Sequence, residues 1–163
     1  VVKFTGKYKP IKQWLHYDIF ESIPDGVVDR TPMGGRYDDQ IRIYGREVQE
    51  KLAKVKTFMV GAGALGCEYI KAFALMGIGC GEGHVGVTDN DNIEVSNLNR
   101  QFLFRQANVG KAKSMTAATI AKQMNPSLNV KAYETRVGND TEDVFHDDFW
   151  EELDFVVNAV DNI

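Results

Sequence analysis

Apolar side chains in the first 35 residues follow no period. Phe4, Tyr8, Trp14, Tyr17 and Phe20 stand among Lys and Pro, and two turn-rich clusters follow at 23–26 and 31–35. Residues 1–35 therefore read as a connector from a preceding domain, with aromatics that pack on a neighbour. From 37 to 54 the spacing becomes helical, with Ile41, Tyr44, Val48 and Leu52 three or four apart and Gly45 weakening or kinking the middle. Strand and helix then alternate. Residues 57–60 make a short continuous apolar run, as in a strand covered on both faces. A helix over 64–76 follows, with Leu65, Tyr69, Ala72, Phe73 and Met76 on its buried stripe and Gly77 as its stop. A second strand covers 85–88. Asn108 then caps a helix over 109–124 that ends at Asn125-Pro126. A third strand at 128–133, a short helix at 141–152 and a fourth strand at 155–160 complete the pattern.

This order predicts an α/β fold: a Rossmann-like parallel sheet in the order 3-2-1-4, with right-handed crossovers and helices on both faces. At 163 residues the chain is long enough for one domain, and 36–163 is the part that carries the alternation. The hydrophobic share of 44%, with 15 Gly besides, suits one packed core. A net charge of −4, from 19 basic and 23 acidic residues, argues against a general nucleic-acid or anionic-membrane surface. The low-charge stretch at residues 72–81 is half of the ~20 residues that cross a bilayer. Two cysteines, Cys67 and Cys80, indicate no disulfide framework, so the expected setting is reducing, cytoplasmic or nuclear. His16, His84 and His146 show no metal-ligand spacing.

Eight of the 15 glycines fall between Gly61 and Gly86. Gly61-Ala62-Gly63-Ala64-Leu65-Gly66 fits G-x-G-x-x-G between a predicted strand and a predicted helix. Gly61 permits the tight turn, Gly63 lets backbone approach a phosphate or ribose, and Gly66 lets helix and sheet pack closely. Asp89, 23 residues after Gly66, ends the second strand where an acidic residue holds ribose hydroxyls. By itself this fingerprint suits NAD. The run after it does not, because Asp89, Asp91, Asn97, Asn99, Arg100, Gln101 and Arg105 fall within 17 residues. That density fits a polyphosphate with a metal, Arg holding phosphate oxygens and a carboxylate holding Mg²⁺. Lys111 and Lys113 lie in the first turn of the next predicted helix, where the dipole disfavours cations unless an anion binds there. Lys111 reads as solvated and Lys113 as a phosphate ligand. In the 3-2-1-4 sheet, Asp161 emerges with Asp89 and the Gly loop at the carboxyl edge, where it can hold Mg²⁺ beside Asn162.

Three stretches carry a resemblance: 61–68, 89–104 and 158–162. They are similar to the active adenylation domain of the ubiquitin-like-protein-activating enzymes, and closest to the branch that activates ubiquitin. That family shares its fold with bacterial adenylating enzymes of thiamine and molybdopterin synthesis. The likeness covers residues 36–163, so it implies the first part of an adenylation domain, truncated at its C-terminal side. It implies ATP and Mg²⁺ as cofactors, ubiquitin as substrate, and adenylation of ubiquitin's C-terminal carboxylate before transfer to a thioester Cys absent from this chain. A ubiquitin-conjugating enzyme, engaged through absent domains, and an inactive adenylation half of the same polypeptide are the further partners it implies. Carried over by motif, Asp89 holds the ribose, Arg100 and Lys113 the phosphates with help from Asn97 and Gln101, and Asp161 the magnesium. The catalytic set is then Arg100, Lys113 and Asp161, and Gly61, Gly63, Ala64, Gly66, Asp91 and Asn162 complete the nucleotide site. Bacterial relatives begin the domain with Arg-Tyr-x-Arg-Gln, whose second Arg completes the partner protomer's site; here Asp39 stands at that position in Arg36-Tyr37-Asp38-Asp39-Gln40. The chain is therefore expected to depend on an Arg from the inactive half. Cys67 is expected to be structural. An NAD-dependent dehydrogenase and a non-catalytic Rossmann scaffold are the rival readings.

Overall fold

The computed structural model describes residues 28–160 and, as backbone, 2–4 and 7–9. Two short strands, β1 (Val2–Phe4) and β2 (Lys7–Lys9), pair antiparallel with Val2 opposite Lys9. Strand pairing there goes beyond the aperiodic connector expected from sequence. Of that connector's aromatics, Phe4 and Tyr8 fall in these strands, while Trp14, Tyr17 and Phe20 lie outside the described residues.

Four strands build the main sheet: β3 (Lys56–Val60), β4 (His84–Thr88), β5 (Val130–Tyr133) and β6 (Phe155–Asn158). Their order is β5-β4-β3-β6 and every pair is parallel, which is the predicted 3-2-1-4 arrangement. The register places Met59 level with Val87 and Val157, and Val87 level with Ala132. That face packs on α3 (Ala64–Met76) through Cys67, Ile70, Phe73 and Ala74, and on α4 (Lys113–Met124) through Ala117, Ala118 and Ala121. On the other face the Phe58 ring lies 5.0 to 5.8 Å from the rings of Tyr133, Phe145, Phe149 and Trp150. Phe149 and Trp150 belong to α5 (Asp147–Glu151), so helices cover both faces. Gly86 makes room for this cluster, since a Cβ there would stand 2.5 Å from Phe58 Cδ2.

The predicted helix over 37–54 is two helices, α1 (Asp38–Tyr44) and α2 (Arg46–Lys54), broken rather than kinked at Gly45 with φ +90°. Ile41 and Gln49 face inward, while Tyr44 and Val48 are exposed. A glutamine is buried there because its Nε2 donates to Met76 O at 3.0 Å, capping α3. Arg36 Nη2 donates to Met124 O in the same way at the end of α4. The α1–α2 pair thus sits on the C-termini of α3 and α4. In a parallel α/β sheet these lie at the edge where strands begin.

Other expectations need correction. The buried stripe of α3 is Cys67, Ile70, Phe73 and Ala74; Leu65, Tyr69 and Met76 are exposed. Gly77 ends α3 as predicted, in the left-handed region. The helix expected over 109–124 starts at Lys113, because Gly110 has φ +84° and Asn108 spends its side-chain oxygen on Arg105 N. Residues 141–152 form a helix only over α5, and the outer strands are shorter than predicted by two residues each, β5 starting at Val130 and β6 ending at Asn158.

Candidate functional site

The site is built where β3 and β4 end. Gly61 follows β3 with φ +100°, its N–H bonded to Thr88 O at 2.8 Å, and a Cβ there would stand 2.6 Å from Ala159 O. Only glycine tolerates both the conformation and the approach. A Cβ on Gly66 would meet Gly61 O at 2.3 Å, so α3 crosses the loop as closely as backbone allows. Gly63 differs. The one atom within 4 Å of its would-be Cβ is Gln101 Nε2, at 3.9 Å. No protein contact within 3.9 Å forbids a side chain at Gly63. Ala64 follows, half-buried, as the first residue of α3, and no side chain caps that helix. Its first N–H groups and dipole favour an anion.

Asp89 ties the loop to β4. One carboxylate oxygen accepts from Ala62 N at 2.7 Å, the other from Asp91 N at 2.9 Å. Each oxygen keeps a lone pair free for a further donor. Lys113, the first residue of α4, is only 8% exposed. Its Nζ lies 2.7 Å from Asp91 Oδ2, and its N–H donates to Asp91 O at 3.0 Å. Ser114 Oγ donates to Asp89 O at 3.2 Å. The sequence reading passed over Ser114; its place directly after Lys113 was the available signal.

The run after Asp89 folds back on itself. Asn97 is buried, and its side-chain oxygen accepts from Glu94 N at 2.9 Å. Gln101 N donates to Asn97 O at 2.9 Å, which carries Gln101 under the Gly loop. Gln101 is 3% exposed and its Oε1 has no partner among the described residues. Arg100 is exposed, with Nη1 on Ser96 O at 3.0 Å. Lys111 is exposed, as expected. The structure therefore links Gly61, Gly63, Gly66, Asp89 and Gln101 into one loop cluster and joins Asp91 to Lys113, while Arg100 and Asn97 are held by their own turn. Asp161 and Asn162 lie outside the described residues. The chain reaches them from beside the Gly loop, since Ala159 N donates to Val60 O at 2.8 Å.

Cys67 is fully buried, and burial pushes its thiol up to about 11. Such a thiol is not a nucleophile at neutral pH. Among the described residues no three His, Cys, Asp or Glu side chains cluster to hold a metal ion, and no helix is long and apolar enough to cross a membrane. An open groove of about 960 Å³ runs along the outer side of α4, between Arg105, Met115, Thr119 and Glu134. The Gly loop and Asp89 do not line it.

The sequence profile of the ThiF family matches residues 37–163. Ubiquitin-like modifier-activating enzyme 1 of Mus musculus is 53% identical over 165 residues, covering 98% of this chain and 16% of the relative. Its Homo sapiens counterpart is 51% identical, and ubiquitin-activating enzyme E1 2 of Arabidopsis thaliana is 52% identical, over 16% and 15% of their lengths. The chain spans about a sixth of these relatives. Among solved structures, the Escherichia coli tRNA N6-threonylcarbamoyladenosine dehydratase TcdA in complex with ATP matches with a TM-score of 0.69 and 28% identity, over 78% of this chain and 50% of that one. The E. coli structure of MccB with MccA-N7isoASN matches with a TM-score of 0.61 and 28% identity, over 68% of this chain and 34% of that one.

Proposed function

The chain belongs to the ThiF family, and from that premise we propose that it is the nucleotide-binding part of an enzyme that activates ubiquitin by adenylating its C-terminal carboxylate. The observation that carries this is the buried cation Lys113 at the start of α4, linked through Asp91 and Asp89 to a Gly loop whose Gly63 faces no protein atom that would forbid a side chain. A dinucleotide needs the loop and the acidic residue after β4, and its two phosphate charges ask less of a fixed ammonium than the roughly four of a nucleoside triphosphate.

The residues fit ATP. Asp89 takes the ribose, the N-terminus of α3 and Lys113 take the phosphates, and Gln101 Oε1, buried without a partner, is placed for a donor brought by the ligand or its hydration shell. Arg100 swings from Ser96 O onto the phosphates. Asp161 would hold Mg²⁺, with Asn162 next to it in sequence. Bound ATP supplies the adenylyl group and pyrophosphate as leaving group. The chain's own residues position and neutralise. A carboxylate already ionised at neutral pH needs no general base, so its barrier is the repulsion between two anions, which fixed cations lower.

The acyl group then passes to a thioester Cys outside this chain. Cys67 does not serve, being buried and protonated. Ubiquitin, a ubiquitin-conjugating enzyme and an inactive adenylation half are the partners, in cytoplasm and nucleus. Calorimetry on the full-length protein tests the nucleotide: ATP with Mg²⁺ binds and NAD does not, whereas NAD binding with no magnesium dependence overturns the reading. In ATP–pyrophosphate exchange, Asp161→Ala abolishes the ubiquitin-dependent signal; unchanged exchange removes Asp161 from the mechanism.

A further inference from the structure

Phe102 directly follows Gln101 and is gripped from two sides. Its carbonyl oxygen accepts from Arg105 Nη1, and its ring lies 4.8 Å from the ammonium of Lys71, in the middle of α3. A cation within about 6 Å of a ring centroid is drawn to the π face. Lys71 also pairs with Glu68 one turn earlier, but those side chains are 35% and 57% exposed, and a surface pair of that kind contributes little. The ring itself is half-buried against the core. Lys71 thus closes the outer side of a side chain whose inner side is already packed. Seven residues on from Ala64, Lys71 stands about 10 Å along α3 from the anion-binding end. What its ammonium reaches is the turn that carries the site's side chains. In that turn Gln101 N is tied back to Asn97 O, and the Gln101 amide lies 3.9 Å from where a Cβ on Gly63 would stand.

We propose that Lys71 is a positioning residue for nucleotide binding: its ammonium holds Phe102 against α3 and so keeps Gln101, with its unpartnered Oε1, under the Gly loop. The attraction to the ring is the working contact, and the pair with Glu68 is not. The turn needs such a hold, because Asn97 and Arg100 spend their side chains on Glu94 N and Ser96 O within it and give it no anchor on α3. With the ring released, Gln101 samples positions away from the loop, and binding must first restore it, at a cost in affinity. Lys71 touches neither nucleotide nor metal, so its effect passes through Gln101. This rests on the ATP-binding reading above.

The test is calorimetric titration of the full-length protein with ATP and Mg²⁺. Lys71→Met keeps an unbranched side chain and removes the charge, and Kd is expected to rise about fivefold, the scale of one cation–π contact. Lys71→Arg restores binding to within about twofold of wild type, because a guanidinium also lies over a ring. Phe102→Leu repeats the loss. In the Gln101→Met background Lys71→Met changes Kd less than about twofold, since the effect acts through Gln101. Unchanged Kd in Lys71→Met overturns the proposal, as does a failure of Lys71→Arg to restore it. An undiminished loss without Gln101 marks a direct nucleotide contact and overturns it too, and an equal loss in Glu68→Gln overturns it in favour of the surface pair. Hydrogen exchange over 97–104 in the nucleotide-free protein keeps the two readings apart: it quickens in Lys71→Met and Phe102→Leu but not in Lys71→Arg. Unchanged exchange there refutes the clamp, whereas wild type that fails to bind ATP overturns the nucleotide reading instead.

Discussion

Gly63 and Gly66 are three residues apart in one loop and have different reasons to be glycine. At Gly66 the protein's own backbone forbids a Cβ, with Gly61 O at 2.3 Å; at Gly63 nothing closer than 3.9 Å does. Gly66→Ala forces α3 off β3 and is expected to lower local stability by more than ~2 kcal/mol. Gly63→Ala costs less than about 0.5 kcal/mol, while ATP affinity falls at least about tenfold, one step of ~1.4 kcal/mol. Hydrogen exchange over 56–76 in the full-length protein, read beside ATP calorimetry, separates the two: fast exchange for Gly66→Ala only, lost binding for Gly63→Ala with native exchange. Cys67 adds a pH dependence. Its folded thiol titrates near 11 against an ordinary value of 9.0, so the neutral form is favoured in the fold. That contribution is complete below pH 9 and is lost as pH rises from 9 to 11, on the order of 2 kcal/mol. Denaturant unfolding across that window should show a steeper alkaline loss in wild type than in Cys67→Ala; parallel curves would contradict it. At this scale the sequence was most informative about glycines and acids, whose roles follow from backbone geometry. It said nothing of Asp91 pairing with Lys113, because a contact across 22 residues depends on how the loop between them folds.

Among the elements, β3, α3 and β4 were legible because strand and helix periods differ and Gly77 punctuates them. The face that α3 buries was not. Apolar residues run round that helix, so Leu65, Tyr69 and Met76 offered a stripe as good as Cys67, Ile70 and Phe73, and packing on the sheet chose the one with smaller residues near the Gly loop. The α1–α2 pair was misread for another reason: its inward residues are partly polar, since they cap other helices. Asn125 shows what that docking is worth. It is 1% exposed, and its Nδ2 donates to Tyr37 OH at 2.6 Å and to Ala74 O at 2.7 Å. Asn125→Ala leaves buried polar groups unpaired and is expected to cost about 2–4 kcal/mol. Exchange should quicken in α1 and α2 first and leave the Gly loop protected. Uniform loss of protection, or none, would contradict this division.

For the whole molecule, the position of α1 bears on catalysis. Gln40 Nε2 and Gln49 Nε2 hold this segment to Met76 O, where α3 ends, and Asp39 stands exposed on it. The Gly loop lies at the other edge of the sheet, where strands end. A residue at position 39 has no route to its own chain's nucleotide site, which agrees with the proposal that the missing Arg comes from an inactive half. Supplying that half in trans should restore adenylation to a polypeptide that lacks it, and equal pyrophosphate exchange without it would refute the dependence. The central claim is that the buried ammonium of Lys113 serves the phosphates of ATP while ubiquitin is adenylated. Ubiquitin-dependent ATP–pyrophosphate exchange by the full-length protein, wild type against Lys113→Met, measures it most directly. Lys113→Met is expected to lose at least about 100-fold, the scale of removing one fixed electrostatic stabiliser; exchange within twofold of wild type would rule that role out.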